Sequence, residues 1–415
     1  MVVNHRTLSA GERIELRRRR LGLSRRVVAE LTGRSEEWLR QIERGSRRLD
    51  SIEMMYRLAE VLRFDDPVEL IGLPSSSRSG ARDIGEMGLQ LTALNRAIMD
   101  HPSTQVFATA VANPLPTLDS VRAGLDQCWY SWLGSGHRYT ELAARLPQVL
   151  ASARSIRAAA QAHSDGQLEE SGRVLVEAYH LARFVLTRVG DYHLAWLVAD
   201  RPIGILTQPA QPILVAVSSW HVASALLSMG YHAESRDYAL AAAHRLAAAT
   251  RSAETEGPVY GALLLLAAEC AAGAGDLEQS KELLAGAARI AERLDPAAGL
   301  RTIWFGVPEV AITGMDIALR LGQVDEAIRL AAEVHLPDNA AVDVRARYYL
   351  TTAYAYGRKG EDFAATLALQ QAELASPEDL RFDWMAHRTL QKLSRHDHHL
   401  TRRDLAKLLA AAGLA

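Results

Sequence analysis

Apolar residues recur at every third or fourth position through most of this chain. That spacing puts them along one face of an α-helix and differs from the strict alternation of a half-buried strand. Glycine, proline and serine interrupt the apolar segments where helices would begin and end. The pattern predicts an all-α fold, and 415 residues suffice for two or three domains or for one domain and a repeat array.

Residues 1–72 predict a compact unit of five short helices. Ser9-x-x-Glu12 matches a capping box, which would open a first helix that stops at Gly22. Serines also precede the next two helices, Ser24 before RRVVAELT and Ser35 before EEWLRQIER. Two short helices joined by a turn that contains glycine form a helix-turn-helix.

Two further helices complete this unit in the sequence pattern. One spans Ser51–Leu62 and the other follows Pro67. Their apolar positions are expected to close a small core, and these are Leu58, Ala59, Leu62 and Leu70. Residues 74–80 (PSSSRSG) follow without an apolar residue and predict a flexible hinge.

Charge is distributed unevenly along the chain. The whole sequence carries a net charge of −2, but the window from Arg13 to Arg48 holds 12 arginines against 5 glutamates, a net of +7. A local positive field in a neutral protein indicates a surface that faces a polyanion. A solvated arginine-rich helix face would produce the same count, so the order of the motifs decides between the two.

The string RIELRRRRLGLSRRVVAELTGRSEEWLRQIERGSRRLD resembles the Cro/CI-type (XRE) helix-turn-helix, and the likeness covers about residues 10–72. The resemblance implies a five-helix, lambda-repressor-like domain whose third helix enters the DNA major groove. It implies base contacts from five residues, which are Arg25, Glu36, Glu37, Arg40 and Gln41. It implies contacts to the DNA backbone from Ser24, Ser35 and Arg44, to which Arg47 and Arg48 add phosphate contacts by charge.

Acidic residues in this module need their own interpretation. Glu36 and Glu37 stand where phage repressors of the family carry neutral amides, and acids there stabilise the helix dipole by about 0.3 to 1 kcal/mol each. A carboxylate can instead accept a hydrogen bond from a cytosine amino group, and we expect one of the two to serve each role. The family also pairs an arginine of helix one with the glutamate that ends helix three, which here predicts a structural Arg18–Glu43 ion pair.

Beyond the hinge, residues 73–116 predict a linker with one bridging helix, and residues 117–415 repeat. Five similar segments are each centred on a glycine, 38 to 47 residues apart, and these are Gly190, Gly230, Gly275, Gly322 and Gly360. Small residues stand five positions after each glycine and, in most segments, seven positions before it. Small side chains allow two antiparallel helices to approach closely, with the glycine turning the chain between them. The first segment departs from the pattern, because Arg183 occupies its earlier position.

Other signals extend this repeat pattern. A sixth unit is predicted around residues 128–147. Prolines are expected in the gaps between units, and these are Pro202, Pro258, Pro296, Pro337 and Pro377. Ser376-Pro377-Glu378 matches the cap, first-position proline and acid of a helix start.

The array resembles the tetratricopeptide repeat (TPR), although its units are longer than the usual ~34 residues. The resemblance implies an α-solenoid whose concave surface is lined by the first helix of each pair. Groove-facing positions lie 13, 10, 6 and 3 residues before each glycine, and they hold Glu177, His180, Phe184, Trp220, Ser224, Glu269, Asp316, Arg347 and Tyr354. This mixture of aromatic and charged residues suits a peptide or a small polar ligand.

Helix-turn-helix proteins with such arrays include peptide sensors of Gram-positive quorum sensing, which this chain resembles loosely. Those receptors tend to hold the peptide backbone with asparagine side chains. This chain has four asparagines and none at a predicted groove position. Actinobacterial regulators that join an XRE domain to loose repeats resemble it more closely.

Catalytic chemistry has little support in the sequence. No segment resembles a Walker loop, GxGxxG, HExxH or GxSxG. His396 and His399 are interpreted as a solvated helix face, and Cys128 as a buried, inert thiol. We expect no enzyme activity, no cofactor and no metal. With 2 cysteines, no apolar signal core and no apolar run of ~20 residues, the sequence predicts a cytoplasmic protein.

Together these features predict a sequence-specific, DNA-binding transcriptional regulator. The repeat domain is expected to form a homodimer, so that two recognition helices meet half-sites of a double-stranded DNA operator. It is also expected to sense a peptide, a small molecule or a protein partner. The alternatives are an interaction scaffold that the helix-turn-helix tethers to DNA, and an antitoxin or phage-type immunity regulator.

Overall fold

The chain folds into two compact units, residues 1–78 and 79–415. A computed structural model describes residues 10–47, 52–62, 84–100, 116–163, 166–206, 211–249, 257–294, 301–337, 340–395 and 401–414. The described residues form twenty helices, in agreement with the predicted all-α fold. None of the helices described is both long and apolar enough to cross a membrane.

The first unit contains four described helices around one small core. They are α1 (Ala10–Arg20), α2 (Arg25–Thr32), α3 (Glu36–Glu43) and α4 (Ile52–Val61). Ile14, Val28 and Leu39 are fully buried in this core. The core residues predicted for the fourth helix are buried as expected, and these are Leu58, Ala59 and Leu62. The predicted fifth helix, with Leu70, and the hinge at residues 74–80 lie outside the described residues.

Local hydrogen bonds place the helix-turn-helix as the sequence predicts. The Ser24 hydroxyl accepts from the backbone N–H of Val27 at 3.2 Å, and the Ser35 hydroxyl accepts from that of Trp38 at 3.1 Å. Gly33 turns the chain between α2 and α3 with a φ of +67°, which an L side chain adopts only with strain. The three signals predict α2 and α3 correctly because caps and turns depend on neighbouring residues alone.

The second unit is a helical array with extensions at both ends. Its helix pairs are α8 (Leu168–Arg188) with α9 (Tyr192–Ile205), α10 (Pro212–Ser228) with α11 (His232–Ala249), α12 (Pro258–Ala274) with α13 (Leu277–Ala291), α14 (Val307–Arg320) with α15 (Val324–Glu333), and α16 (Val342–Lys359) with α17 (Asp362–Ala375). Before them come α5 (Ile84–Met99), α6 (Leu118–Gly134) and α7 (Arg138–His163); after them come α18 (Pro377–Phe382), α19 (Trp384–Leu393) and α20 (Arg402–Ala411). The sixth unit predicted around residues 128–147 is the pair α6–α7.

The packing order within the second unit is that of a TPR-like solenoid. Every helix of the five pairs packs on its neighbour in sequence. The first helices α6, α8, α10, α12, α14 and α16 also pack on one another in order and form an inner wall. The bridging helix α5 packs on α7 through Leu91, Leu94 and Ile98.

The five repeat glycines act as predicted from their spacing. All five have a φ between +77° and +89°, and each lies between the two helices of a pair. The small residues five positions later are buried, and two of them bond directly to the small residue of the preceding helix. The Ser235 hydroxyl donates to the Ala223 carbonyl at 2.6 Å, and the Ser280 hydroxyl donates to the Ala268 carbonyl at 2.8 Å.

The prediction that prolines mark the gaps is correct for part of the set. Pro258 and Pro377 start helices, and the Ser376 hydroxyl caps α18 by accepting from the Asp379 N–H at 3.1 Å. Pro202 does not mark a gap, because it lies inside α9. Proline has no N–H to donate, so α9 lacks one backbone hydrogen bond at this turn. Pro296 lies outside the described residues.

The two ends of the array meet. Arg138, at the start of α7, donates to Asp379 of α18 at 2.7 Å and to Asp343 of α16 at 2.9 Å. The Tyr139 hydroxyl donates to Asp379 at 2.5 Å, and its backbone N–H donates to Glu378 at 2.7 Å. These bonds, called the closing contact below, join residues 205 to 241 positions apart in sequence. The inner wall is therefore joined at its two ends.

Candidate functional site

Helix α3 presents the residues that the sequence assigned to DNA. Glu36, Glu37 and Arg40 are exposed, and Gln41 is half-buried. Ser35, Arg44 and Arg47 are exposed at the two ends of the helix, whereas Arg48 lies outside the described residues. Trp38 is half-buried at the rim of the core, with the Arg34 guanidinium 5.8 Å from its ring centroid.

The two glutamates at the start of α3 differ in their contacts. Glu37 forms an ion pair with Arg40 and accepts from the Gln41 amide at 3.3 Å, so it orders two of the predicted base-contacting side chains. Glu36 forms no ion pair within the described part of the chain. Its carboxylate acts electrostatically on Arg25 and Arg26 of α2.

A buried ion-pair network lies below this surface. Glu43 accepts from Arg18 at 2.6 and 3.2 Å, which confirms the predicted structural pair, and also from Arg25 at 2.6 Å. Arg25 reaches Glu15 as well, at 3.3 Å, and its side chain is about one-third exposed. The hydrogen bond to Glu43 raises the pKa of Arg25. Arg25 is thus held at the edge of the proposed DNA surface by two carboxylates, a role that the sequence did not predict.

The interior of the second unit contains a cavity of about 100 Å³. It lies between the first helices of the five pairs, as the repeat pattern predicts. Four of the predicted groove residues line it, and these are Phe184, Trp220, Glu269 and Arg347. Trp304, from the segment before α14, and Glu309 and Asp343 complete its polar and aromatic lining.

Three other predicted groove residues each accept a hydrogen bond from an arginine. Asp316 accepts from Arg347 at 2.6 Å, Glu177 accepts from Arg301 at 2.7 Å, and the Ser224 hydroxyl accepts from Arg183 at 3.3 Å. Arg301 also binds Asp126 of α6, so the segment before α14 reaches across the array to its first helices.

His180 and Tyr354 differ from the expectation that they face an open groove. His180 has no exposed surface, and its ring bonds to the Ser218 hydroxyl at 3.0 Å. Tyr354 is 8% exposed and packs edge-on against Trp384 of α19. The helical period places both on the inner face, but neighbouring repeats and the closed end of the array cover them.

The structure also reveals a polar cluster that the sequence analysis missed. The rings of His180 and His221 stack with centroids 4.0 Å apart, and Arg183 donates to His221 Nδ1 at 2.9 Å. Burial lowers the pKa of His180 to about 3 and that of His221 well below its ordinary value. The one available signal was the departure of Arg183 from the small-residue pattern.

Both thiols of the chain are buried. Cys128 and Cys270 are free and buried, and burial raises their pKa values to about 11 and about 12. The predicted burial of Cys128 is confirmed, and its lack of reactivity stays a prediction. His396 and His399 lie outside the described residues.

Comparison with known proteins identifies the first unit. A family model described as a helix-turn-helix domain matches residues 9–70. No curated protein matches the chain. Among solved structures, one match is the crystal structure of Bacillus thuringiensis PlcR in complex with the peptide PapR7 and DNA. That match has 14% identity and a TM-score of 0.33 and covers 79% of this chain and 94% of the other, which is too loose to transfer a function. Residues 9–70 form a helix-turn-helix domain of the DNA-binding kind, and the chain joins it to a TPR-like helical array.

Proposed function

We propose that this protein is a sequence-specific transcriptional regulator that reads DNA with α3. The observation that carries the proposal is the row of exposed Glu36, exposed Arg40 and half-buried Gln41 on a capped recognition helix within a matched helix-turn-helix domain. Exposed arginines at the helix ends, Arg44 and Arg47, supply phosphate contacts. Base readout by side chains in the major groove then distinguishes an operator from other DNA.

Selection of binding sites from random double-stranded DNA by the full chain tests this proposal. We expect a defined motif with two related half-sites. Arg40→Ala should relax the preference at one position, whereas Arg47→Ala should weaken binding to all sequences alike and reduce its salt dependence. Uniform binding of all DNA by the unaltered chain would favour the tethered scaffold instead.

The contacts of the two glutamates lead to a sharper expectation. Glu37 is paired within α3, so we assign cytosine readout to Glu36 and side-chain ordering to Glu37. Glu36→Gln should change the preferred base at one position of each half-site, with a discrimination of about 1–3 kcal/mol. Glu37→Gln should broaden the preference at the positions that Arg40 and Gln41 contact. The same base preference in both variants would contradict this assignment.

We further infer that the array dimerises the protein. Exposed apolar side chains lie along one side of α17, where Phe363 is 68%, Leu367 50% and Leu374 81% exposed. Such a patch on a protein of this kind supports an isologous contact with a second copy. Analytical ultracentrifugation should show a dimer that Phe363→Glu dissociates and that Glu373→Gln, on the same helix, leaves intact. A monomer bound to a full operator would contradict the dimer.

The cavity on the inner wall supports the sensing role. A ligand that binds one arrangement of the array better than another would shift the spacing of the two DNA-reading domains, since only differential affinity drives such a change. Operator binding measured with and without cell extract, followed by fractionation of the active component, separates a small molecule from a peptide or a protein. Genomic neighbours would distinguish an antitoxin or an immunity factor from a regulator with a metabolic target.

A further inference from the structure

A second cavity of the array lies between α10 and α11. Its volume is about 190 Å³, and both helices of the pair contribute to its wall. Among the described residues, none lines both this cavity and the one on the inner wall. The wall is mainly apolar, and its apolar members are Pro212, Val215, Ala216, Ala242, Leu246 and Ala249.

The size of this cavity limits what it can hold. An apolar cavity of about 150 Å³ in a protein interior binds benzene, which has six carbon atoms. A cavity of about 190 Å³ therefore accommodates an apolar body of about six to eight carbon atoms. An extended peptide is too large for this space.

Arg245 supplies a positive charge at the mouth of the cavity. Its side chain is exposed, whereas Ala216, Ala242 and Leu246 are at most 3% exposed and form the floor. Its Nε donates to the Ala241 carbonyl of its own helix at 3.2 Å, and it forms no ion pair with any described residue. The described part of the wall contains no carboxylate. A guanidinium group binds a carboxylate through two parallel hydrogen bonds, so the charged end of a ligand here is a carboxylate.

Ser219 supplies a polar group on the floor of the cavity. Its side chain lines the cavity and the residue is 3% exposed, yet its hydroxyl forms no hydrogen bond with any described residue. A buried hydroxyl without a partner has lost its bonds to water, and most buried hydroxyls are bonded. The neighbouring Ser218 follows that rule, because its hydroxyl bonds to the His180 ring at 3.0 Å. A polar ligand group that reaches the floor would satisfy Ser219.

We propose that this cavity binds a small monocarboxylate that carries a hydroxyl at its far end. The carboxylate lies on the Arg245 guanidinium, the apolar body lies between α10 and α11, and the hydroxyl bonds to Ser219. Each part of the ligand meets a wall of matching chemistry. The site goes beyond the proposed function, which assigns sensing to the cavity on the inner wall.

Titration calorimetry and thermal unfolding of the full chain test the proposal. The probes are para-hydroxybenzoate and ω-hydroxyoctanoate, which carry the two polar groups on a ring and on a chain. We expect at least one of them to bind and to raise Tm by about 3 °C at a concentration about a hundredfold above Kd. Absence of binding by both probes would overturn the proposal.

Analogues of the better probe test its two polar groups separately. The acid without the hydroxyl should bind at least about threefold more weakly, because Ser219 then stays without a partner. The alcohol in which CH₂OH replaces the carboxylate should bind at least about tenfold more weakly, because it loses a charged hydrogen bond. Equal affinity for the probe and the alcohol would overturn the assignment of the carboxylate to Arg245.

Two variants assign these groups to their protein partners. Arg245→Gln should weaken binding of the probe at least about tenfold and leave binding of the alcohol unchanged, since it removes only the partner of the carboxylate. Ser219→Ala should abolish the preference for the acid that carries the hydroxyl. Arg329→Gln, at an exposed arginine paired with Glu326 on α15, is the matched control and should bind like the unaltered chain.

The remaining outcomes are also decisive. Equal losses of probe and alcohol binding in Arg245→Gln, or an unchanged hydroxyl preference in Ser219→Ala, would contradict the proposal. Selection of a DNA motif depends on α3 and not on this cavity. A chain that selects an operator but binds neither probe retains the proposed function and loses this inference, and the converse result would do the reverse.

Discussion

At the scale of single residues, Glu43 shows how a domain with a small core uses a buried charge. Its side chain is 1% exposed and forms ion pairs with two arginines, one from α1 and one from α2. The network ties the recognition helix to both preceding helices. Replacing the whole network by apolar residues would cost little, but removal of one member leaves the others without compensation.

Glu43→Ala should therefore destabilise the first unit by about 3 kcal/mol. Hydrogen exchange of the α1–α3 amides in the full chain measures this change. Glu30→Ala removes an exposed pair with Arg26 and should cost less than about 0.5 kcal/mol. Equal effects of the two variants would show that the buried network contributes no more than a surface pair.

Burial of His180 couples the stability of the array to pH. Its pKa of about 3 in the folded chain lies below its ordinary value of 6.5, because burial disfavours the charged ring. Between these values the unfolded chain binds more protons than the folded one, so stability falls as pH drops from 6.5 towards 3.

For one such histidine, each pH unit within that window lowers the free energy of unfolding by about 1.4 kcal/mol. Between about pH 6.5 and pH 5, the free energy of unfolding should therefore fall by about 2 kcal/mol less in His180→Gln than in the unaltered chain. Denaturant unfolding at both pH values measures the difference. His244→Gln, at an exposed position of α11, serves as the control and should keep the original slope. Identical slopes for all three proteins would contradict the argument.

At the scale of elements, the repeat depends on glycine for turning and on small residues for close packing. Gly275 has a φ of +89°, and a Cβ added there would meet no atom within 4 Å. The cost of a side chain at this position is therefore conformational. Gly286 lies inside the next helix, α13, where a Cβ would make an ordinary 3.6 Å contact with Leu264.

One substitution should consequently have opposite effects at these two glycines. Gly275→Ala should destabilise the array by about 1 kcal/mol, because alanine avoids positive φ. Gly286→Ala should stabilise it by about 0.5–1 kcal/mol through helix propensity. Denaturant titration of the full chain monitors both changes. A gain in stability for Gly275→Ala would show that the turn does not require glycine.

At the scale of the whole array, the closing contact makes the two ends of unit 79–415 interdependent. An open solenoid distributes its stability over neighbouring units. Here Arg138, with no exposed surface, joins α7 to α16 and α18. A substitution that destabilises one end should therefore also destabilise the other, although the two ends are distant in sequence.

Asp379→Ala should destabilise the array by about 3 kcal/mol because it leaves Arg138 with reduced compensation. Hydrogen exchange should accelerate both at the start of α7 and in α18–α19. Asp325→Ala breaks an exposed pair with Lys359 and should leave both regions unchanged. Faster exchange confined to α18–α19 would mean that the ends are not coupled.

Sequence patterns predicted the elements better than the site. The helical period assigned Phe184, Trp220, Glu269 and Arg347 to the inner wall correctly, because period and turn position are local properties. The cover over His180 and the position of Trp304 depend on segments from other repeats. No local signal indicates such contacts.

The sequence by itself determined the helix-turn-helix, its caps, the buried Arg18–Glu43 pair and the glycine turns of the repeats. Each of these follows from interactions among near neighbours or from a family motif. Only the tertiary structure decided that the array closes through Arg138 and Asp379 and that Arg183 is buried against His221. Those features depend on how a small rotation per repeat accumulates over many helices, which no short stretch of sequence specifies.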